Sequence, residues 1–261
     1  MNKFYWRTEG IGKIHLVLIH GWGFNSTIWN IILSKLNIHF RIHLVDLPGF
    51  GKNDKFQFLN LKNTAKFLEK YIPNNSILLG WSMGGLIASK IALLYPKKIR
   101  GIISVSSSPC FIMHRNWPGI SKNTLSKFYD QLILNYNKTI EDFIAMQIIN
   151  SKCVTQEIQA LKNLITSQPS PKISTLKKGL DLLYSSDLRK EIVKLKVPFL
   201  RIYGSLDKLV PKEISNLLDQ KLPKTQSVII EHSAHTPFIS NKYEFCTIIL
   251  EFSKYLKILK K

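Results

Sequence analysis

The chain has 261 residues, 45% of them hydrophobic and 21% charged. A chain of this length buries roughly 70–75% of the surface its unfolded form exposes, so it needs no metal or disulfide staple, and its apolar content excludes disorder. The formal net charge is +20, but only six of the 37 cationic side chains are arginine and the lysines are scattered, which reads as a solvated basic surface rather than a nucleic-acid groove. Such a surface can still steer an acidic protein partner by its long-range field.

Cys110, Cys153 and Cys246 are odd in number and lack C-x-x-C spacing. Neither a disulfide framework nor a zinc site is expected, and no cofactor. The first residues lack the apolar stretch of a signal peptide, and no run of about 18 apolar residues occurs. The expectation is a cytoplasmic monomer that neither binds nucleic acid nor enters a membrane.

Short, continuous apolar runs recur along the chain, as in strands covered on both faces. They are Ile14 to Ile19, Phe40 to Leu47, Ser76 to Leu79, Ile99 to Val105, Val197 to Tyr203 and Ser227 to Ile230. Helical patterns at Leu61 to Tyr71 and Gly84 to Leu94 fall between them. The alternation predicts an α/β fold, a mostly parallel sheet with helices on both faces. From Cys110 to Lys190 the pattern changes to helices near 124–135, 139–149, 155–166 and 173–183, punctuated by prolines. The prediction is a core of residues 1–109 and 191–261, with an inserted helical cap of residues 110–190 over the sheet edge where ligands bind.

Gly80-Trp81-Ser82-Met83-Gly84 fits G-x-S-x-G. The pattern alone is weak, since chance gives it in roughly one chain in ten of this length. Its setting is strong: a strand precedes it and a helix follows, the arrangement of a nucleophile elbow. Ser82 is thus the candidate nucleophile. In folds built on this turn the chain order is Ser, acid, His. Asp207 follows a strand and lies between Ser82 and the C-terminal histidines. It is preferred to Asp181 and Asp187 in the insert and to Asp46, which shapes its own turn. His235 lies further into the loop after the last strand than His232 and is the preferred base, with His232 as fallback. An oxyanion hole needs the N–H after the nucleophile, from Met83, and one from an earlier strand–helix loop. His20-Gly21-Trp22-Gly23 supplies that loop, with Trp22 as donor.

On these residues the chain resembles the pimeloyl-acyl-carrier-protein methyl ester esterases of bacterial biotin synthesis, an α/β-hydrolase family. The resemblance rests on residues 15–23, 43–51 and 79–86, on Ser107-Ser108-Pro109-Cys110-Phe111, on Trp117-Pro118-Gly119-Ile120, and on residues 198–204 and 235–240. It implies a serine carboxylesterase that releases methanol from a pimeloyl chain carried on acyl carrier protein. The substrate contacts it implies are Trp22, Ser82, Met83, Phe143, Ile144, Ala145, Met146, Gln147 and His235. It also implies basic cap side chains that grip the acidic carrier. Lys138 fits, whereas Asp142, Thr155 and Gln159 stand where basic residues are expected, and Lys152, Lys162 and Lys172 are candidate substitutes. Two rivals share the motifs: a broad-specificity short-chain carboxylesterase and a non-catalytic ligand receptor on the same fold. A cofactor-free haloperoxidase or C–C hydrolase has a similar elbow, whereas a dehalogenase would carry aspartate in place of Ser82.

Overall fold

A computed structural model describes residues 3–148 and 170–259, together with Gln159, Leu161 and Asn163. Seven strands form one sheet: β1 (Trp6–Glu9), β2 (Ile14–Ile19), β3 (Phe40–Val45), β4 (Ser76–Trp81), β5 (Ile99–Val105), β6 (Phe199–Gly204) and β7 (Gln226–Ile230). Their order is β1-β3-β2-β4-β5-β6-β7, and all pairings are parallel except β1 against β3. The six apolar runs are the six parallel strands. β2 and β4 are buried along most or all of their length because helices cover both faces.

β1 escapes the sequence pattern. Trp-Arg-Thr-Glu has no apolar run, and it is an edge strand of four residues, none of them buried, where charged side chains are tolerated. Boundaries shift elsewhere for local reasons. β6 begins after Pro198, which has no N–H to give the ladder, although its carbonyl accepts from Ile102 N at 2.9 Å.

Between the strands lie α1 (Asn30–Leu36), α2 (Leu61–Glu69) and α3 (Met83–Leu94). The insertion between β5 and β6 carries α4 (Lys122–Leu134), α5 (Tyr136–Ile148) and α6 (Ile173–Ser185). The C-terminal part adds α7 (Glu213–Lys221), α8 (Pro237–Ser240) and α9 (Lys242–Ile258). α4 starts earlier than its apolar pattern because Ser121 caps it, accepting from Thr124 N at 3.0 Å. The helix expected at 155–166 falls outside the described residues except at Gln159, Leu161 and Asn163, and Cys153 lies outside them too. Leu188 N donates to Pro109 O at 2.7 Å, and Cys110 bridges Asp187, so the chain leaves and rejoins the sheet layer at one place. Among the described residues no helix is long and apolar enough to cross a membrane.

The strand order fixes the place of the site. From β2 the chain moves to β3 on one side, then returns past β2 to β4 on the other. The loops leaving the C-terminal ends of β2 and β4 therefore diverge, opening a crevice between neighbouring strands.

Candidate active site

Ser82 sits between β4 and α3 with φ 54° and ψ −120°, a left-handed conformation that a non-glycine residue adopts only when its surroundings enforce it. The motif glycines permit this. A Cβ on Gly80 would lie 2.2 Å from Gly84 O, and one on Gly84 would lie 2.3 Å from Ile19 O. Any side chain at either position would drive α3 off the sheet. Ser82 N donates to Val105 O at 2.9 Å, and Ser107 Oγ donates to Ser82 O at 2.7 Å, so the next strand holds the elbow from behind. The Ser107 bond was not evident in the sequence, where the serine run after β5 carries no periodic signal.

Asp207 follows β6 in a turn and is fully buried. Its Oδ1 accepts Leu209 N and Val210 N, both at 2.9 Å. Its Oδ2 lies 2.7 Å from His235 Nδ1. The carboxylate thus has one oxygen tied to its own loop and the other to the imidazole. Of the two C-terminal histidines, His235 is the buried one. His232 has φ 59° and is exposed, its N–H donating to Ser205 Oγ at 2.9 Å. His235 Nε2 is buried and lacks a hydrogen-bond partner. The Ser82–His235 hydrogen bond expected from the chain order is therefore not formed in this state; such contacts commonly tighten only around substrate.

The His20–Gly23 turn lies against the elbow. A Cβ on Gly21 would come 2.9 Å from the Trp81 ring and 3.3 Å from Ser82 Cβ. Among the described residues the Trp22 and Met83 amides have no hydrogen-bond acceptor. Two free N–H groups beside a serine hydroxyl are what a developing oxyanion requires. The Trp22 side chain is buried, its Nε1 donating to Leu176 O of α6 at 2.8 Å. Gly179, one turn on, lets α6 approach: a Cβ there would sit 2.5 Å from Trp22 Cδ1.

Above Ser82 is a narrow cavity of about 40 Å³, lined among others by Trp22, Phe111, Leu125, Phe128, Phe143 and Leu180. The walls are almost wholly apolar. Phe143 meets the Trp22 ring edge-on at 4.8 Å. Of the run 143–147 that the resemblance implies, Phe143 is among the residues lining the cavity. Helical geometry turns successive side chains by about 100°. Phe143 lines the cavity, Ile144 is buried and Ala145 is exposed. The side chains of Met146 and Gln147 lie outside the described residues.

Away from Ser82, Cys110, His114 and Asp187 bring a thiol, an imidazole and a carboxylate within 4.8 Å of one another. Arg189 engages both Asp187 oxygens, at 2.9 and 2.6 Å, and that hydrogen bonding holds the carboxyl below its usual range. Burial, then Asp187, push the Cys110 thiol up. The cluster reads as an ion-paired clasp where the insertion begins and ends. Cys110 and Cys246 are free thiols.

Residues 14–242 match the α/β-hydrolase fold family. The chain is 46% identical over 260 residues to a pimeloyl-acyl-carrier-protein methyl ester esterase of Proteus mirabilis, covering 99% of this chain and 100% of that protein. It is 43% identical to the protein of the same name from Yersinia enterocolitica, covering 97% and 98%. Among solved structures, an esterase from Exiguobacterium antarcticum superposes with a TM-score of 0.86 at 20% identity, covering 96% of this chain and 95% of that one. A bromoperoxidase from Bacillus anthracis gives 0.83 at 24%, covering 96% and 95%. These two establish shared architecture. The near-complete match to the curated relatives goes further, and the chain belongs to the pimeloyl-acyl-carrier-protein methyl ester esterases, on the α/β-hydrolase fold.

Proposed function

We propose that this protein hydrolyses the methyl ester of a pimeloyl chain borne on acyl carrier protein, through an acyl-enzyme on Ser82. The observation that carries the reading is the strained Ser82 under an apolar cavity, beside a buried Asp207–His235 pair, in a chain matched end to end by esterases of that name. His235 Nε2 removes the Ser82 proton as Oγ attacks the ester carbonyl. The oxyanion forms against the Trp22 and Met83 amides. Collapse expels methoxide, which leaves as methanol with the proton from His235. Water, deprotonated by the same nitrogen, then releases the free carboxylate. Asp207 holds the Nδ1–H tautomer and stabilises the transient imidazolium.

The apolar walls suit a methylene chain, which gains about 0.8 kcal/mol per buried CH₂. The acyl chain lies along the Phe128 and Phe143 walls, and residues 110–190 serve as its cap. The carrier is the partner, and the excess positive charge supplies the long-range attraction for it. Lys138 is exposed but lies 3.1 Å from Asp142, which offsets part of its charge. Lys152, Lys162 and Thr155 are outside the described residues, and Gln159 donates to Asn163 at 2.8 Å.

The test is turnover of pimeloyl-acyl-carrier-protein methyl ester by purified protein, followed as methanol and free carboxylate. Efficient, salt-sensitive turnover that Ser82→Ala abolishes is the expected result. Equal efficiency on a short free methyl ester, without salt dependence, would instead favour a broad-specificity carboxylesterase. No turnover and no labelling by a fluorophosphonate would point to a receptor.

A further inference from the structure

His20 is fully buried at the end of β2, its ring edge-on to Phe50 at 5.4 Å. The reaction above assigns it no proton. Its surroundings fix its tautomer. Leu47 N–H, which can only donate, lies 3.0 Å from Nε2, so Nε2 is the bare acceptor. The ring proton is therefore on Nδ1, which donates to Gly21 O at 2.7 Å. Burial pushes the His20 pKa down against the opposing pull of Asp46, so the ring stays neutral. Asp46 is itself committed to Ser26 N at 2.7 Å and Lys52 N at 2.9 Å.

Gly21 O belongs to the same peptide unit as Trp22 N–H. That peptide is trans, as are all described here, so its C=O and N–H point in opposite directions. Pinning the carbonyl toward His20 turns the Trp22 N–H away from it. The unit borders the nucleophile, since a Cβ on Gly21 would stand 3.3 Å from Ser82 Cβ. Glycine at position 21 leaves the peptide free to rotate unless something holds it. We propose that neutral His20 is a positioning residue: it clamps the Gly21 carbonyl and so presets the Trp22 N–H as oxyanion donor, using the loop after β3 as its anchor.

The proposal rests on the esterase reading above, and turnover by wild-type protein tests that reading separately. With the active enzyme, His20→Ala and His20→Gln are compared for kcat, KM and binding of two ligands. One is an alkyl trifluoromethyl ketone, which becomes a tetrahedral oxyanion on Ser82. The other is the matching alkyl methyl ether, which cannot. His20→Ala is expected to lose about 10²-fold in kcat and in ketone affinity together, the scale of one oxyanion donor, with KM and ether affinity nearly unchanged. His20→Gln is expected to recover most of the loss, because its amide can donate to Gly21 O and accept from Leu47 N. Unchanged kcat in His20→Ala, equal loss of ketone and ether affinity, or no recovery in His20→Gln each overturns the proposal. Nitrogen NMR of the wild-type ring supplies a readout independent of variant folding: a proton on Nδ1 is expected, and one on Nε2 overturns the clamp.

Discussion

Trp81 Nε1 donates to the backbone carbonyl of His235 at 2.8 Å. The indole next to Ser82 therefore holds the loop that carries His235, 154 residues away in sequence. Its ring also lies 5.7 Å from the imidazole and packs edge-on against Phe24 and Phe238. Trp81→Phe keeps much of the packing and removes the donor, leaving a buried carbonyl unpaired at about 1–3 kcal/mol. The expected outcome is a folded protein, less stable by that amount, with kcat reduced more than KM is raised. Unfolding midpoints and steady-state kinetics on one preparation check both halves.

Asp207→Asn tests the orientation of the base. Oδ1 accepts two backbone N–H groups, so the asparagine oxygen must take that place and its NH₂ must face His235 Nδ1. Nδ1 then becomes an acceptor, and the proton moves to Nε2, where the base should be bare. A loss of up to about 10⁴ in kcat is expected, on the scale of serine proteases with this change. A loss of only a few-fold would remove Asp207 from the role.

Gly179→Ala should be harmful although alanine favours helices by about 1 kcal/mol. The new Cβ would stand 2.5 Å from Trp22 Cδ1 and 2.8 Å from its Nε1. Relief requires α6 to lift or Trp22 to leave Leu176 O, at an overpacking cost of about 1–3 kcal/mol. Thermal unfolding is expected to show net destabilisation, and the kinetics an activity loss from the shifted Trp22 loop. A more stable, fully active variant would show that α6 is not seated as described.

Acid should weaken the fold through His43. Trp6 Nε1 and Thr8 Oγ1 both lie 3.1 Å from its Nδ1, and His15 Nδ1 lies 2.8 Å from its Nε2. Burial, then His15 and Arg41, lower its pKa from 6.5 to about 4. The unfolded chain thus binds a proton that the folded one refuses. Stability from this group is complete above 6.5 and drains as pH falls toward 4. His20, also lowered, acts in the same direction. Urea midpoints should fall between pH 7 and pH 5, and His43→Phe should flatten that slope.

What the sequence made legible was set by backbone constraint. Gly80 and Gly84 have no room for a side chain and Ser82 holds a positive φ between them, so the elbow could be read from five letters and its flanks. Asp207 and His235 were chosen on chain order, and they lie 2.7 Å apart. The missing Ser82–His235 bond was not legible, because chain order says which residues converge but not how far apart their atoms stand. Nor was β1, whose four residues carry no apolar run. The partners of Trp81 and His20 were hidden for a different reason. Each bonds to a backbone atom of a loop brought close only by strand order, and no residue pattern encodes that.

The hydrogen bond from Leu188 N to Pro109 O has an evolutionary consequence. An insertion whose two ends meet adds a closed loop to its host, and the entropy of closing such a loop grows only slowly with its length. Apart from α6, whose Leu176 carbonyl holds Trp22, helices between these ends can be lengthened, shortened or exchanged while β5 and β6 stay in register. Substrate preference can thus change independently of Ser82, Asp207 and His235, one lineage altering what is admitted while the chemistry beneath is inherited unchanged.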